Sequence, residues 1–319
     1  MLALQLIHRL RLFDAVFILP DPPASSISGE ALSAASTALA AGAYDILRDL
    51  DPRPPFTKDE TRQLLLAALL LPLRALSIKA AKGRPVSLPA HVVRDSLKWK
   101  VKDIEAVDAL HAAAPKLRSM YQQLQGLGGL GSTSTNGSSA NGSSGGNGPP
   151  TVIAAAAAGG PAAGTPDDVK VALGRVIRQL KGLWRAGCML APLLTTAEAQ
   201  TLGVEHPPSE TAGSPRLAAG DGSIGSHGAG ASAEAAAIAQ RLAITRTLES
   251  AARAFQLEDC WQWKPVLDGK QVMAAMGMKQ GGPRLGRLMD AVVDWQLAHP
   301  SGHAEDCLAW LQQHHAAKE

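Results

Sequence analysis

The residues in this chain that could do chemistry are few and scattered. Its only Asp-x-Asp pair is Asp49-Leu50-Asp51. Carboxylates two apart hold paired metal ions for nucleotidyl transfer when they sit on a strand after a Gly-Gly or Gly-Ser turn that holds the triphosphate. Here the pair runs into Pro52 at the end of an alanine-rich helical pattern, with no glycine turn before it. A solvated helix terminus is expected, not a metal site. His303 and Cys307 stand four apart and His314-His315 follow, but no fourth ligand has zinc-site spacing. A structural or surface role is expected for them. Cys188, Cys260 and Cys307 are odd in number and far apart, so no disulfide framework or CxxC site follows. Reduced thiols of an intracellular protein are the expectation, with the compartment open. Dinucleotide, Walker and HExxH patterns are absent. No catalytic residue and no metal site is expected in the chain.

Basic residues are the remaining candidates. Arg175, Arg178, Lys181 and Arg185 recur at three, three and four residues. That spacing puts them on one face of a helix from Asp167 to Arg185, opposite Val169, Leu173, Val176, Ile177, Leu180 and Trp184. Such a face suits phosphates, and an ordinary solvated face is the alternative. Lys98, Lys100 and Lys102 form a second cluster with Trp99 between them, diluted by Asp103 and Glu105. A third comprises Lys279, Arg284 and Arg287 around Gly281-Gly282, where Pro283 is suited to the first turn of a helix. Free amides and the positive dipole end at that point favour an anion such as an RNA phosphate. Phosphate proximity is expected for Gly281 and Gly282, and close helix packing for Gly286. Trp261 and Trp263 could stack on bases, but core packing is preferred because the chain has few other large apolar groups.

The elements that must position these residues read as helices throughout. The chain has 319 residues and 46% hydrophobic content, but aromatics make up only 4% and much of the rest is alanine, which fills little core. A net charge of +3 and a pI near 8.8 are compatible with nucleic acid without arguing for it. No apolar run reaches the roughly 20 residues that cross a bilayer; Leu64–Leu73 is too short and contains Pro72. Helices are expected over Leu2–Leu19, Gly29–Leu50, Lys58–Lys82 (capped by Thr57 with Glu60, interrupted at Pro72), Pro89–Lys100 and Val101–Leu124. Further helices are expected over Asp167–Arg185, Ala233–Phe255, Lys270–Met278, Arg284–Leu297 and Asp306–His314. The Gly/Ser/Ala/Pro-rich stretches 126–166 and 202–232 cannot bury enough apolar surface to offset the entropy of ordering them. They are expected to be disordered insertions in one all-α assembly. The parts are then a helical body (1–125), the basic helix (167–201) and a helical tail (233–319).

The tail carries a resemblance. Lys264-Pro-x-Leu-Asp-Gly-Lys270, Gly281-Gly-Pro-x-Leu-Gly286, Trp295-Gln-Leu-x-His-Pro300 and Glu305-Asp-Cys-Leu-Ala-Trp-Leu311 keep the order and spacing seen at the end of eukaryotic CCA-adding enzymes. These are tRNA nucleotidyltransferases of the poly(A) polymerase superfamily. Ala3-Leu-Gln-Leu-Ile-His8, Leu12-Phe-Asp-x-Val-Phe17 and Arg94-Asp-Ser-Leu-Lys98 resemble the same family. The likeness covers roughly residues 1–20, 58–110, 167–186 and 235–313; the two low-complexity stretches depart from it.

The resemblance implies the RNA-gripping body and tail of such an enzyme, with tRNA as partner. The family's catalytic α/β head and neck are expected upstream, a reading prompted also by a helix that starts at the first Met without a cap. The complete enzyme would use CTP, ATP and magnesium, but no cofactor is expected to bind this chain. The family's Arg-Arg-Asp-Phe and Glu-Asp-x-x-Arg nucleotide-reading signatures are absent, so the chain alone is expected to be inactive. A stand-alone helical RNA-binding protein and a protein-interaction scaffold remain alternatives.

Overall fold

A computed structural model describes residues 2–20, 29–79, 85–126, 165–194 and 227–315. Most of both low-complexity stretches lies outside these residues. Their edges do not: Thr165 and Pro166 open one helix, and 227–232 already belong to another.

The first segment is two short helices, α1 (Leu2–Arg9) and α2 (Phe13–Val16), where one was expected. Arg11 breaks the run with a φ of 55°. This turns Phe13 and Phe17 into the core with ring centroids 4.6 Å apart, and leaves Leu2, Leu6 and Leu10 exposed. α3 (Gly29–Asp49) buries Leu39, Ile46 and Leu47. α4 (Lys58–Leu69) opens with the expected capping box, Thr57 accepting from the Glu60 amide at 3.2 Å and the Glu60 carboxylate accepting from the Thr57 amide at 2.8 Å.

Beyond Pro72 the helix does not resume. A single 3-10 turn, Leu71–Leu73, leads into a two-stranded antiparallel hairpin of β1 (Ser77–Lys79) and β2 (Pro85–Ser87), with Ile78 opposite Val86. Among the described residues the fold is all-α apart from this two-stranded sheet. Ser87 then caps α5 (Leu88–His91), and a π-helical turn covers Val92–Ser96. Lys98 stops it with a φ of 54°, so the expected helix over Pro89–Lys100 ends early.

α6 (Val101–Gly126) is the central helix of the larger core. α4, α7 (Pro166–Leu180) and α8 (Trp184–Leu190) pack against it. α7 begins with a second capping box, Thr165 with Asp168. α9 (His227–Ala254) contributes Ile244, Leu248, Ala251 and Ala252 to the same core. Within it His111 is buried, and its Nε2–H donates to the Ala67 carbonyl at 2.7 Å. Burial pushes this imidazole down to about 4.

A smaller core of Leu267, Val272, Leu288, Val292, Trp295, Cys307 and Leu311 joins α10 (Gly269–Ala275), α11 (Pro283–Ala298) and α12 (Ala304–His315). The residues of this smaller core follow α9. α10 is capped by Asp268 with Gln271, as the Asp-Gly turn suggested. α11 starts at Pro283. Among the described residues no helix is long and apolar enough to cross a membrane.

The two cores are joined where α7 crosses α11. Leu297 of α11 is fully buried in the larger core, against Gly174 of α7. A Cβ at position 174 would lie 2.5 Å from Leu297 Cδ2, so only glycine admits this approach.

Candidate nucleic-acid interface

The run Arg175, Arg178, Lys181 and Arg185 does not form one helical face. α7 ends at Leu180, Lys181 takes a φ of 53°, and Arg185 belongs to α8. A residue other than glycine is sterically strained in that backbone region, and the break swings Trp184 back into the core. Three of the four cations are then held by the protein itself. Arg175 makes a two-pronged ion pair with Asp294 of α11. Arg178 donates to the carbonyls of Cys260 at 2.6 Å and Trp263 at 3.2 Å. Arg185 pairs with Glu258 at 3.2 Å and lies over the Trp184 ring. Only Lys181 of this set is exposed without an ion pair to a described residue. With Lys170, which donates to the Ala298 carbonyl at the end of α11 at 2.7 Å, these side chains fasten α7 to the segment after α9.

The sequence could not reveal this, because the partners lie far along the chain. Asp294 is 119 residues from Arg175 and Glu258 is 73 from Arg185. A hint was present: Asp290 and Asp294 stand four apart on a helix otherwise read for its cations.

The cluster at the start of α6 divides. Lys102 is bonded to Asp59 of α4, which draws that carboxyl below the usual carboxylate range. Lys98 and Lys100 are exposed and pair with no described residue. Between them Trp99 is 37% exposed, with the Arg62 guanidinium 5.1 Å from the centroid of its ring. Arg62 is anchored in turn to Asp103 at 2.9 Å and Asp59 at 3.2 Å. Burial alone would raise the Asp103 carboxyl, but hydrogen bonds from Arg62 and Gln63 outweigh it and take the group below its ordinary value. Arg62, Lys98, Trp99, Lys100 and Asp103 line a shallow open cleft. Arg62 carries no motif and lies in α4, far from Trp99 in the chain, so nothing in the residue order groups the two.

The glycine turn before α11 is the most open of the three places. Lys279, Gly281, Gly282 and Arg287 are exposed, Arg284 is half-buried, and none of the three cations has an ion pair to a described residue. α11 has no acidic residue in its first turn and no side-chain cap on its amides. A Cβ at Gly282 or Gly286 would meet nothing within 4 Å, and one at Gly281 only the Leu285 side chain at 3.5 Å. The expected packing role of Gly286 is therefore wrong: it lies on an open helix face. Free amides, the helix dipole and three cations without an ion pair give this place a positive character.

Trp261 and Trp263 are half-buried against the larger core, as expected. All three cysteines are buried free thiols, and burial pushes Cys307 up to about 11 and Cys260 up to about 12. The His303 amide donates to Asp306, as at a helix start. Asp49 ends α3 in an ion pair with Arg48. Among the described residues no group of three His, Cys, Asp or Glu side chains could hold a metal ion.

No sequence-family profile matches the chain, and no solved structure matches it. Among curated proteins, tRNA nucleotidyltransferase cca2 of Schizosaccharomyces pombe is 48% identical over 56 residues. That stretch is 18% of this chain and 11% of that protein, so the chain matches a small part of its relative's length. The resemblance read from the sequence is thus a relation to a CCA-adding enzyme, carried by part of the chain.

Proposed function

We propose that this chain is the RNA-binding body and tail of a CCA-adding tRNA nucleotidyltransferase, and that it grips tRNA while the terminal nucleotides are added. The relation to tRNA nucleotidyltransferase cca2 supports the choice of RNA. The observation that carries the reading is the start of α11, where Lys279, Arg284 and Arg287 lie close in the chain to uncapped helix amides with no acid in the first turn. Lys98, Lys100 and Lys181 extend the set of unpaired cations. Contacts of this kind go to phosphates and position an RNA without reading its bases. Nucleotide chemistry, with its CTP, ATP and magnesium, belongs in this reading to a head and neck upstream in the complete protein.

The test is tRNA binding by the purified chain over a range of salt. Affinity should fall steeply, because each phosphate neutralised releases counterions. Binding that is absent in dilute buffer, or indifferent to salt, removes the proposal. The same preparation should add no labelled nucleotide from CTP or ATP to a tRNA lacking its 3′ end; incorporation would overturn the assignment of chemistry to the upstream part.

A further inference from the structure

Of the six tryptophans, Trp99 alone is exposed. Nothing in its size requires this, since the other five are buried or half-buried in the same protein. The ring is backed by one guanidinium, and its backbone is fixed on the N-terminal side. The buried Asp103 carboxylate anchors Arg62, and Arg62 in turn backs the indole. The Trp99 amide donates to the Val93 carbonyl at 3.1 Å. The left-handed backbone at Lys98 is a strained conformation of the kind that persists where the surrounding structure enforces it. A fixed aromatic surface opening on a shallow cleft, with an unpaired lysine on either side of it in the chain, matches an unpaired nucleotide. A base has a π-face for the ring, and its two flanking phosphates carry the charge for the lysines. An acidic peptide would satisfy the lysines but has no general use for the indole.

We propose that Trp99, buttressed by Arg62, is a stacking platform for one unpaired base of a bound RNA, with Lys98 and Lys100 on the adjoining phosphates. This rests on the RNA-binding reading and adds to it a preference for single-stranded over paired RNA.

The test compares a blunt, fully paired RNA hairpin with the same hairpin bearing a short single-stranded extension. The unaltered chain should bind the extended hairpin about tenfold more tightly, the worth of a single base stack. Trp99→Ala should erase that preference while leaving the blunt hairpin bound as before, and Trp99→Phe should keep most of it. As a readout independent of any variant, 2-aminopurine in the extension should be quenched on binding to the unaltered chain. A preference that survives Trp99→Ala, or an unquenched extension, overturns the platform and leaves the RNA reading standing. Failure to bind either hairpin removes both. If Trp99→Ala weakens binding of polyglutamate as much as binding of the extended hairpin, the ring serves an acidic protein partner and the stack is overturned.

Discussion

The Arg175 guanidinium grips the Asp294 carboxylate with both prongs across the crossing of α7 and α11. A cation whose spacing suggests an RNA contact is thereby committed to joining the two cores. Because the Arg175 side chain is 59% exposed, the pair is screened by solvent and worth about 0.5 kcal/mol. Arg175→Ala should lower stability by about that amount, and Asp294→Ala by a similar one. In a double-mutant cycle followed by urea unfolding, the two changes together should cost less than the sum of each alone. Additive losses would show that the pair is not coupled.

The cations beside the glycine turn should behave in the opposite way. Replacing Lys279, Arg284 and Arg287 with Ala should leave the urea midpoint nearly unchanged and weaken tRNA binding. The slope of log affinity against log salt should become shallower by about one for each phosphate that is no longer neutralised. A slope unaltered in the triple variant would place the RNA elsewhere.

Gly174 and Gly286 are both helical and should respond oppositely to Ala. At Gly174 the added Cβ meets the fully buried Leu297, which has no room to turn, and a loss of about 1–3 kcal/mol is expected. At Gly286 the methyl points into open space, and the better helix former should stabilise by about 0.5–1 kcal/mol. Thermal or urea unfolding of the two variants checks the sign of each.

His111 gives the fold a pH dependence of definite sign. Its folded value of about 4 lies below the ordinary 6.5, so the unfolded chain takes up the proton first. Stability should be full above about pH 6.5 and fall as the pH drops toward 4, by up to about 3 kcal/mol from this group. The Asp103 contribution is lost only at lower pH, below the ordinary carboxylate value. His111→Gln should flatten urea midpoints over the upper window alone; an unchanged slope there would assign the effect to other groups.

Much of the fold was legible because it depends on local rules. The Thr57–Glu60 box, the Asp268 turn and Pro283 at the start of α11 are short-range signals, and each marks the helix start it implied. The hairpin at β1 and β2 was not legible. Its strands are three residues each, too short to show alternation, and it rests on the pairing of Ile78 with Val86. The breaks at Arg11, Lys98 and Lys181 were also hidden, since each is a residue that continues a helix readily.

The helical class, the helix starts and the inventory of cations could all be read from the order of residues, because they follow from residue type and from neighbours within a turn or two. Which cations remain available for a partner was settled by long-range packing instead. Asp59, Asp294 and Glu258 reach Lys102, Arg175 and Arg185 only when helices distant in sequence pack together, while Lys98, Lys100, Lys279, Arg284 and Arg287 form no ion pair with a described acid. Charge is a property of the residue, but whether it is already neutralised depends on what the fold brings within a few ångströms.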